Sequence, residues 1–193
     1  RTSAIKNEEF HQDNSGINIA GKNSSFCELT GLYWAWQNGI FKNNQYVGLV
    51  HYRRYFAGKE LYLKKRHIAS ESELLSLLEK YDAILPKKRN YFIESIYSHY
   101  QHAHYVKDLN CTREIISELH PEYITSFDAI MQGRKIHIYN MFVMSSETAS
   151  EYCQWLFPIL FELEKRIDIT QYDNYQKRVF GFIADRLFNL WLV

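Results

Sequence analysis

The residues of this chain best suited to chemistry form the run His51-Tyr52-Arg53-Arg54, which follows a short apolar segment. Guanidinium groups make paired hydrogen bonds to phosphate or carboxylate oxygens, so adjacent arginines beside a histidine favour an anionic ligand. Because consecutive residues of an extended chain face opposite sides, at most one of the two arginines is expected to reach that ligand directly. The alternative is a solvated basic loop flanked by aromatic residues of the core.

Two other sets of polar residues have spacings that matter. Asn140 interrupts the apolar run of residues 135–144, and a buried asparagine needs hydrogen-bond partners from the backbone or from a ligand. His99 and His102 are three residues apart and could share a helix face. A metal site needs a third ligand, and only Asp108 is near in sequence, so the pattern argues against a metal there.

Composition limits the function classes. The length of 193 residues is enough for one sizeable core, and we predict a single domain over residues 1–193. The net charge of +1 gives no argument for binding to nucleic acid or to an anionic membrane. No apolar run approaches about 18 residues, so no transmembrane helix is predicted. The three cysteines form no Cys-x-x-Cys pair, which argues against zinc or a disulfide framework and fits a reducing compartment.

The basic run should be positioned by a strand-helix-strand unit. A buried strand is predicted at about 45–51, and a short strand at 83–85 ends at Pro86. Between them, Ser70-x-x-Glu73 is a capping box that predicts a helix. Its buried side would carry Leu74, Leu75, Leu77, Leu78 and Tyr81. Such a unit predicts parallel strands with a right-handed crossover, and ligands then bind beyond the carboxyl ends of the strands.

The remaining elements are predicted from turn signals and helical periodicity. Residues 1–24 are polar and are expected to form a loop or lid. Ser25-x-x-Glu28 is a second capping box, in which Glu28 would stabilise the first turn of a helix. A strand is predicted at 135–144. Further helices are predicted at about 110–119, 122–131, 152–167 (through Pro158) and 179–190.

Four blocks of the sequence resemble a family of bacterial capsular and exopolysaccharide glycosyltransferases long catalogued as a domain of unknown function. The blocks are Ser25–Asn38, Tyr46–Phe56, Asn140–Phe142 and Arg178–Leu187. They are similar to the family patterns CELTxLYWAWxN, YVGLxHYRRYF, NMF and RxFGFISERL. The glutamate of the last pattern is Asp185 here, a carboxylate one methylene shorter.

The resemblance implies an α/β fold of the GT-A-like, Rossmann type, with a mostly parallel sheet flanked by helices. It implies transfer of a sugar from a nucleotide donor, a UDP-sugar, to a growing capsular or exopolysaccharide glycan. Some members are associated with galactofuranose transfer. A cytoplasmic enzyme is expected, at the inner face of the membrane and in peripheral contact with it if the acceptor is lipid-linked. Family members usually begin with a further strand and a turn that would hold the base; we expect that segment, and so the first strand, to be missing here.

The resemblance also implies roles for individual residues. The donor would be bound by His51, Tyr52, Arg53, Arg54 and Asn140, and the acceptor by Tyr139 and His104. Most GT-A enzymes neutralise the leaving diphosphate with a divalent metal. Here Arg53 or Arg54 is expected to replace that metal, so no cofactor is predicted, with Mn²⁺ or Mg²⁺ as the alternative.

The catalytic base is expected to be Asp185, with Glu28 as the second choice, because a base must reach the acceptor hydroxyl. Asp185 could instead form an ion pair with Arg178 or Arg186, and Tyr139 could simply pack in the core. Two other functions stay open. The chain could be a non-catalytic module that binds carbohydrate or a partner protein. The aromatic and basic run could bind single-stranded nucleic acid, although the net charge of +1 argues against it.

Overall fold

A three-stranded antiparallel sheet supports this fold, which a computed structural model describes for residues 11–51, 53–63 and 65–193. Its strands are β1 (Tyr46–Leu49), β4 (Ala83–Ile84) and β7 (Phe142–Ser145), in the order β1-β7-β4. Two short antiparallel pairs complete the strands: β2 (Leu61–Leu63) with β3 (Arg66–Ile68), and β5 (Arg89–Asn90) with β6 (Lys135–Ile136).

The predicted parallel pairing is wrong. Val47 of β1 lies opposite Met144, and Ile84 of β4 lies opposite Val143, each in antiparallel register. β1 and β4 therefore run in the same direction, but β7 lies between them. Every strand pair of the described residues is antiparallel, so the mostly parallel sheet implied by the resemblance is also wrong, while the mixed α/β class is confirmed.

The predicted buried strand at 45–51 is an edge strand. β1 has a neighbour only on the β7 side, and Val50 just beyond it is 43% exposed. The buried strand of the sheet is β7, in which Phe142 and Met144 are fully buried. An apolar run can form either an edge strand or a central strand, because its residue types do not determine how many strands will pair with it.

The helices pack around β7. They are α1 (Asn23–Phe26), α2 (Leu29–Gln37), α3 (Glu71–Leu78), α4 (Ile96–Ala103), α5 (Val106–Leu119), α6 (Ile124–Gln132), α7 (Ser146–Arg166) and α8 (Val179–Trp191). α7 runs through Pro158 as one helix, and the predictions for α5, α6, α7 and α8 are confirmed. None of these helices, within the ranges described, combines the length and apolar character that crossing a bilayer requires.

The two predicted capping boxes behave differently. Ser70 accepts a hydrogen bond from the Glu73 backbone and Glu73 accepts one from Ser70, so the box that opens α3 is confirmed. Three of the residues assigned to the buried side of α3 are instead exposed: Leu75, Leu77 and Tyr81. Ser25 lies inside α1 and donates to the Lys22 carbonyl, so it opens no helix.

The predicted strand at 135–144 is split in two. β6 and β7 are separated by a turn in which Tyr139 (φ 83°) and Asn140 (φ 49°) both have left-handed backbone conformations. A left-handed backbone conformation costs about 1–3 kcal/mol for each such residue and persists only where the surrounding structure holds it. The two residues therefore point to a constrained site. A loop was predicted over residues 1–24, and the first ten of these lie outside the described residues. Its later part contains a 3₁₀ turn at Ala20–Lys22, and α1 starts at Asn23.

Candidate functional site

A cavity of about 290 Å³ lies where the 139–140 turn meets the start of α2 and one side of α8; we call it the first cavity. Six of the residues predicted to form the site line it: Glu28, His51, Arg54, His104, Tyr139 and Asp185. Asn140 lies in its wall, 3% exposed, and bonds to two of them. Tyr52 lies outside the described residues.

Asn140 joins the two carboxylates. Its backbone N donates to Asp185 Oδ1 at 2.9 Å, and its side-chain Nδ2 donates to Glu28 Oε1 at 2.8 Å. Nδ2 also lies 3.2 Å from the Gly181 carbonyl oxygen. The buried Asn140 Oδ1 has no hydrogen-bond partner in the described part of the protein. The buried Asn140 therefore has the hydrogen-bond partners that we expected, and they are residues far away in the sequence.

Asp185 has a raised pKa in the folded protein. Burial raises the pKa of Asp185 to about 7, against the lowering effect of the Arg186 charge, and the nearby Glu28 adds to the rise. Backbone hydrogen bonds from Asn140 and Tyr139 also lower this pKa, but by less. A carboxylate with a pKa near neutrality can both accept and release a proton at physiological pH, which is the property that a general base requires.

The Asp185 ion pair is with Arg186 and is a long one. Arg186 Nη1 lies 3.9 Å from Asp185 Oδ2, and the same nitrogen donates to the Phe182 carbonyl at 2.8 Å. The buried Arg186 guanidinium also lies over the Tyr100 ring, 4.9 Å from its centroid. Arg178, the other predicted partner of Asp185, instead donates from Nε to Cys27 Sγ at 3.3 Å. The pKa of Asp185 is therefore raised although Asp185 forms this long ion pair with Arg186.

Cys27 directs Glu28 into the cavity. Its backbone (φ 53°, ψ −129°) separates α1 from α2, and such a conformation is strained for any residue with a side chain. Gly181 of α8 lies beside Cys27: a Cβ on this glycine would lie 3.4 Å from Cys27 Sγ, an ordinary van der Waals distance. Glu28 makes no capping hydrogen bond to α2, and its side chain bonds to Asn140 instead; the predicted capping role is wrong.

His51 and Arg54 contact the turn from the other side. His51 Nε2 donates to the Tyr139 carbonyl and lies 3.8 Å from Glu28 Oε1. The Arg54 guanidinium stacks over the Tyr139 ring, 4.0 Å from its centroid. The Tyr139 ring therefore packs against the Arg54 guanidinium. Arg54 lines the first cavity, whereas Arg53 does not.

A second cavity, of about 420 Å³, shares Arg54 and Tyr139 with the first. Arg53 lines this second cavity, together with residues of the β2–β3 pair. Both arginines therefore line the second cavity, and Arg54 also lines the first.

The histidines do not form a metal centre. His99 stacks on Tyr91 with 3.8 Å between centroids, whereas His102 contacts Glu94 at the surface. His104 Nδ1 bonds to Gln176 Oε1 at 3.1 Å, and burial lowers the pKa of His104 to about 4. Across residues 11–51, 53–63 and 65–193, no group of three or more His, Cys, Asp or Glu side chains could hold a metal ion. The prediction of metal-independent chemistry is not tested by this observation.

Several residues of the first cavity were not predicted as site residues: Cys27, Tyr91, His99, Ile138, Tyr175, Arg178, Gly181, Phe182 and Arg186. A signal existed for part of this set. Arg178, Phe182 and Asp185 are spaced by four and three residues, the spacing of one helix face. The positions of Cys27 and Tyr91 depend on long-range contacts, which spacing does not encode.

Comparison with known proteins places this geometry in context. The chain is similar to the WbbM bifunctional glycosyltransferase, solved in its apo form, with a TM-score of 0.82 and 32% sequence identity. The similarity covers 93% of this chain and 35% of that chain, so this chain spans about a third of its neighbour's length. No curated protein sequence matches the chain.

The family is shown by the whole sequence. Residues 1–193 match the family described as Domain of unknown function (DUF4422). A match over the full length, together with the structural similarity of 93% of the chain to part of a glycosyltransferase, supports a glycosyltransferase-related family. The chain therefore belongs to the DUF4422 family and is related to a glycosyltransferase.

Proposed function

We propose that this chain is a glycosyltransferase domain that moves a sugar from a nucleotide-sugar donor to the hydroxyl of a glycan acceptor. The observation that carries the proposal is the convergence of Glu28 and Asp185 on Asn140 in a cavity bordered by Arg54. The similarity to part of a bifunctional glycosyltransferase supports the same reaction class.

Asp185 is the proposed base. It takes the proton from the acceptor hydroxyl as the oxygen attacks the anomeric carbon of the donor sugar, and the bond from that carbon to the diphosphate breaks. Its raised pKa of about 7 suits this role. Asn140 holds Glu28 nearby, so Glu28 is the second choice; Tyr139 and His104, which border the same cavity, are proposed to contact the acceptor.

Arg54 is the proposed counter-charge of the leaving diphosphate. Its guanidinium is always cationic and lies on the edge shared by the two cavities, with Arg53 beside it in the second. His51 and Asn140 complete the donor contacts in the proposal. A fixed cation close to the departing oxygen stabilises the charge that develops there, as a divalent metal does in other enzymes.

The finer features stay predictions from the resemblance. They are the GT-A-like classification, a UDP-sugar donor, with UDP-galactofuranose as one option, a capsular or exopolysaccharide product, a lipid-linked acceptor and a cytoplasmic location at the inner membrane face. None of them is needed for the roles of Asp185 and Arg54.

Thermal unfolding with UDP tests the proposal, because a ligand that binds only the folded state raises the melting temperature. We expect UDP to raise it equally with EDTA and with manganese, and Arg54→Gln to lose most of the shift. Arg113→Gln is the matched control, because Arg113 pairs with Asp128 on the surface at 2.6 Å.

The possible outcomes separate the alternatives. A shift that requires manganese would keep the transferase and contradict the role of Arg54 in place of a metal. The absence of any shift, combined with no release of UDP from UDP-sugars, would contradict the transferase and favour a non-catalytic binding module.

A further inference from the structure

The second cavity has a one-sided charge. Arg53, Arg54, Arg66 and His67 line it, and none of the lining residues that the structure describes is an aspartate or a glutamate. Its remaining surface is largely apolar, with Leu63, Ile68, Pro86 and Met141. Cations that converge on one concave surface repel each other in the absence of a counter-ion, and an anion bound between them removes that repulsion.

Other arginines of this protein are used differently. Arg113 makes two hydrogen bonds to Asp128, and Arg166 bonds to both Glu118 and Glu162. By contrast, no carboxylate of the described residues lies within ion-pair distance of the Arg54 or Arg66 guanidinium. Arg54 is held by the Tyr139 ring instead. Its charge is therefore positioned without being neutralised.

The β2–β3 pair that carries Arg66 and His67 is held at its base. Glu73 at the start of α3 accepts hydrogen bonds from the backbone of Lys59 at 2.8 Å and of Ser70 at 3.0 Å. A Cβ on Gly58 would come within 2.3 Å of the Ala69 backbone, so the two ends of the segment approach as closely as a glycine permits. These contacts keep the cationic residues in place beside the cavity.

The His67 ring is held in place by its neighbours. Its Nδ1 lies 3.0 Å from the Lys59 carbonyl oxygen, which can only accept, so Nδ1 carries the hydrogen of that bond. The remaining ring nitrogen, Nε2, can donate to a phosphate oxygen when the imidazole is protonated at both nitrogens. Tyr62 packs against the imidazole in an edge contact with 5.2 Å between centroids, which further fixes the ring.

We propose that the second cavity is a binding site for a diphosphate group, held by Arg66 and His67 of the β2–β3 pair together with Arg53 and Arg54. Guanidinium forks match phosphate oxygens, and the apolar part of the cavity accommodates the organic group that the diphosphate bears. The proposal rests on the proposed function only for the source of the diphosphate, which is either the sugar donor or the acceptor.

Calorimetric titration with inorganic pyrophosphate tests the site. We expect Arg66→Gln to weaken pyrophosphate binding by about tenfold or more, since a hydrogen bond to a charged group is lost. Arg66→Lys should weaken it less, because the charge remains without the fork. Arg113→Gln on α5 should bind as the unaltered chain does. Because Arg66 is exposed, its variants are expected to fold, and their melting temperatures check this.

Competition identifies the source. If UDP displaces pyrophosphate, the site holds the donor diphosphate; if both bind at once, it holds the diphosphate of the acceptor. Either result supports the site. No pyrophosphate binding, or equal affinities for Arg66→Gln, Arg113→Gln and the unaltered chain, would overturn it, even if the chain transfers sugar. Pyrophosphate binding that depends on Arg66 in a chain without any transfer would keep the site and remove the proposed function.

Discussion

The two cavities differ in what burial does to their charges. The first holds carboxylates fixed by buried elements: the Asp185 side chain is 14% exposed and bonds to the Asn140 backbone. The second holds solvent-facing cations on a short strand pair, with Arg53 and Arg66 both exposed. Burial raises the pKa of a carboxyl group, whereas an arginine stays charged at any physiological pH. In our proposals, this difference assigns proton transfer to the first cavity and anion binding to the second.

The largest expected effect tests the assignment of proton transfer to the first cavity. Asp185→Asn should lower sugar transfer by about 10²–10⁴-fold, the usual contribution of a general base. UDP affinity should not change, because the amide oxygen can still accept the hydrogen bond from Asn140. Steady-state kinetics and calorimetry with UDP measure the two quantities.

The matched control is Asp82→Asn, which removes an exposed carboxylate between α3 and β4. It should change neither quantity. If Asp185→Asn instead abolished UDP binding and left turnover per bound donor intact, the assignment of chemistry to the first cavity would be reversed. Unchanged turnover would transfer the role of base to Glu28.

A smaller effect concerns how the first cavity is held together. Asn140→Ala removes the hydrogen bonds to Glu28 and Gly181, which should lower the free energy of unfolding by about 1–3 kcal/mol. Asn140→Gly removes the same bonds but tolerates a φ of 49°, so it should be less destabilised. Urea denaturation measures the differences.

Asn44→Ala provides the comparison for that experiment. Asn44 is exposed, and its Nδ2 donates to the Ile40 carbonyl at 2.8 Å. Its loss should cost about 0.5 kcal/mol or less, as is usual at the surface. Equal losses for Asn140→Ala and Asn44→Ala would mean that Asn140 does not hold the carboxylates together.

A further effect is a pH dependence of stability. The pKa of Asp185 in the folded protein is about 7, above the value of about 3.9 for an unfolded chain. Between these values the folded state holds a proton that the unfolded state has lost. The free energy of unfolding therefore falls as pH rises from about 4 to 7, with a slope of up to about 1.4 kcal/mol per pH unit from this group.

His104 opposes that trend. Burial lowers its pKa to about 4, so between about 4 and 6.5 the unfolded state binds more protons and this contribution rises with pH. Denaturation of the unaltered chain and of Asp185→Asn across this range isolates Asp185, because His104 is present in both. Parallel curves would show that Asp185 is not buried as a neutral acid.

Local signals predicted much of the fold. The capping box at Ser70 and the periodicities of α5, α6, α7 and α8 were sufficient because they depend on residues within one or two turns. The order of the strands was not predictable in this way. β7 enters between β1 and β4, and the sequence of each strand is compatible with either neighbour.

The contrast between Ser25 and Ser70 shows the limit for the site. Both begin the same Ser-x-x-Glu pattern, but the left-handed backbone of Cys27 interrupts the first and releases Glu28 to bond with Asn140. Cys27 is held there by a hydrogen bond from Arg178, which lies 151 residues away in the sequence. The need of Asn140 for partners was predictable, whereas the identity of those partners depended on the completed fold.

The order in which the residues of the first cavity are made has a consequence for biosynthesis. The ribosome delivers Glu28 early and Asp185 late, while Asn140 must bond to both. A nascent chain that has reached only α7 contains Glu28 and Asn140, but it lacks Asp185 and the Gly181 carbonyl that complete the arrangement. Translation that stops before α8 would therefore release a product without Asp185, the residue that we propose as the base.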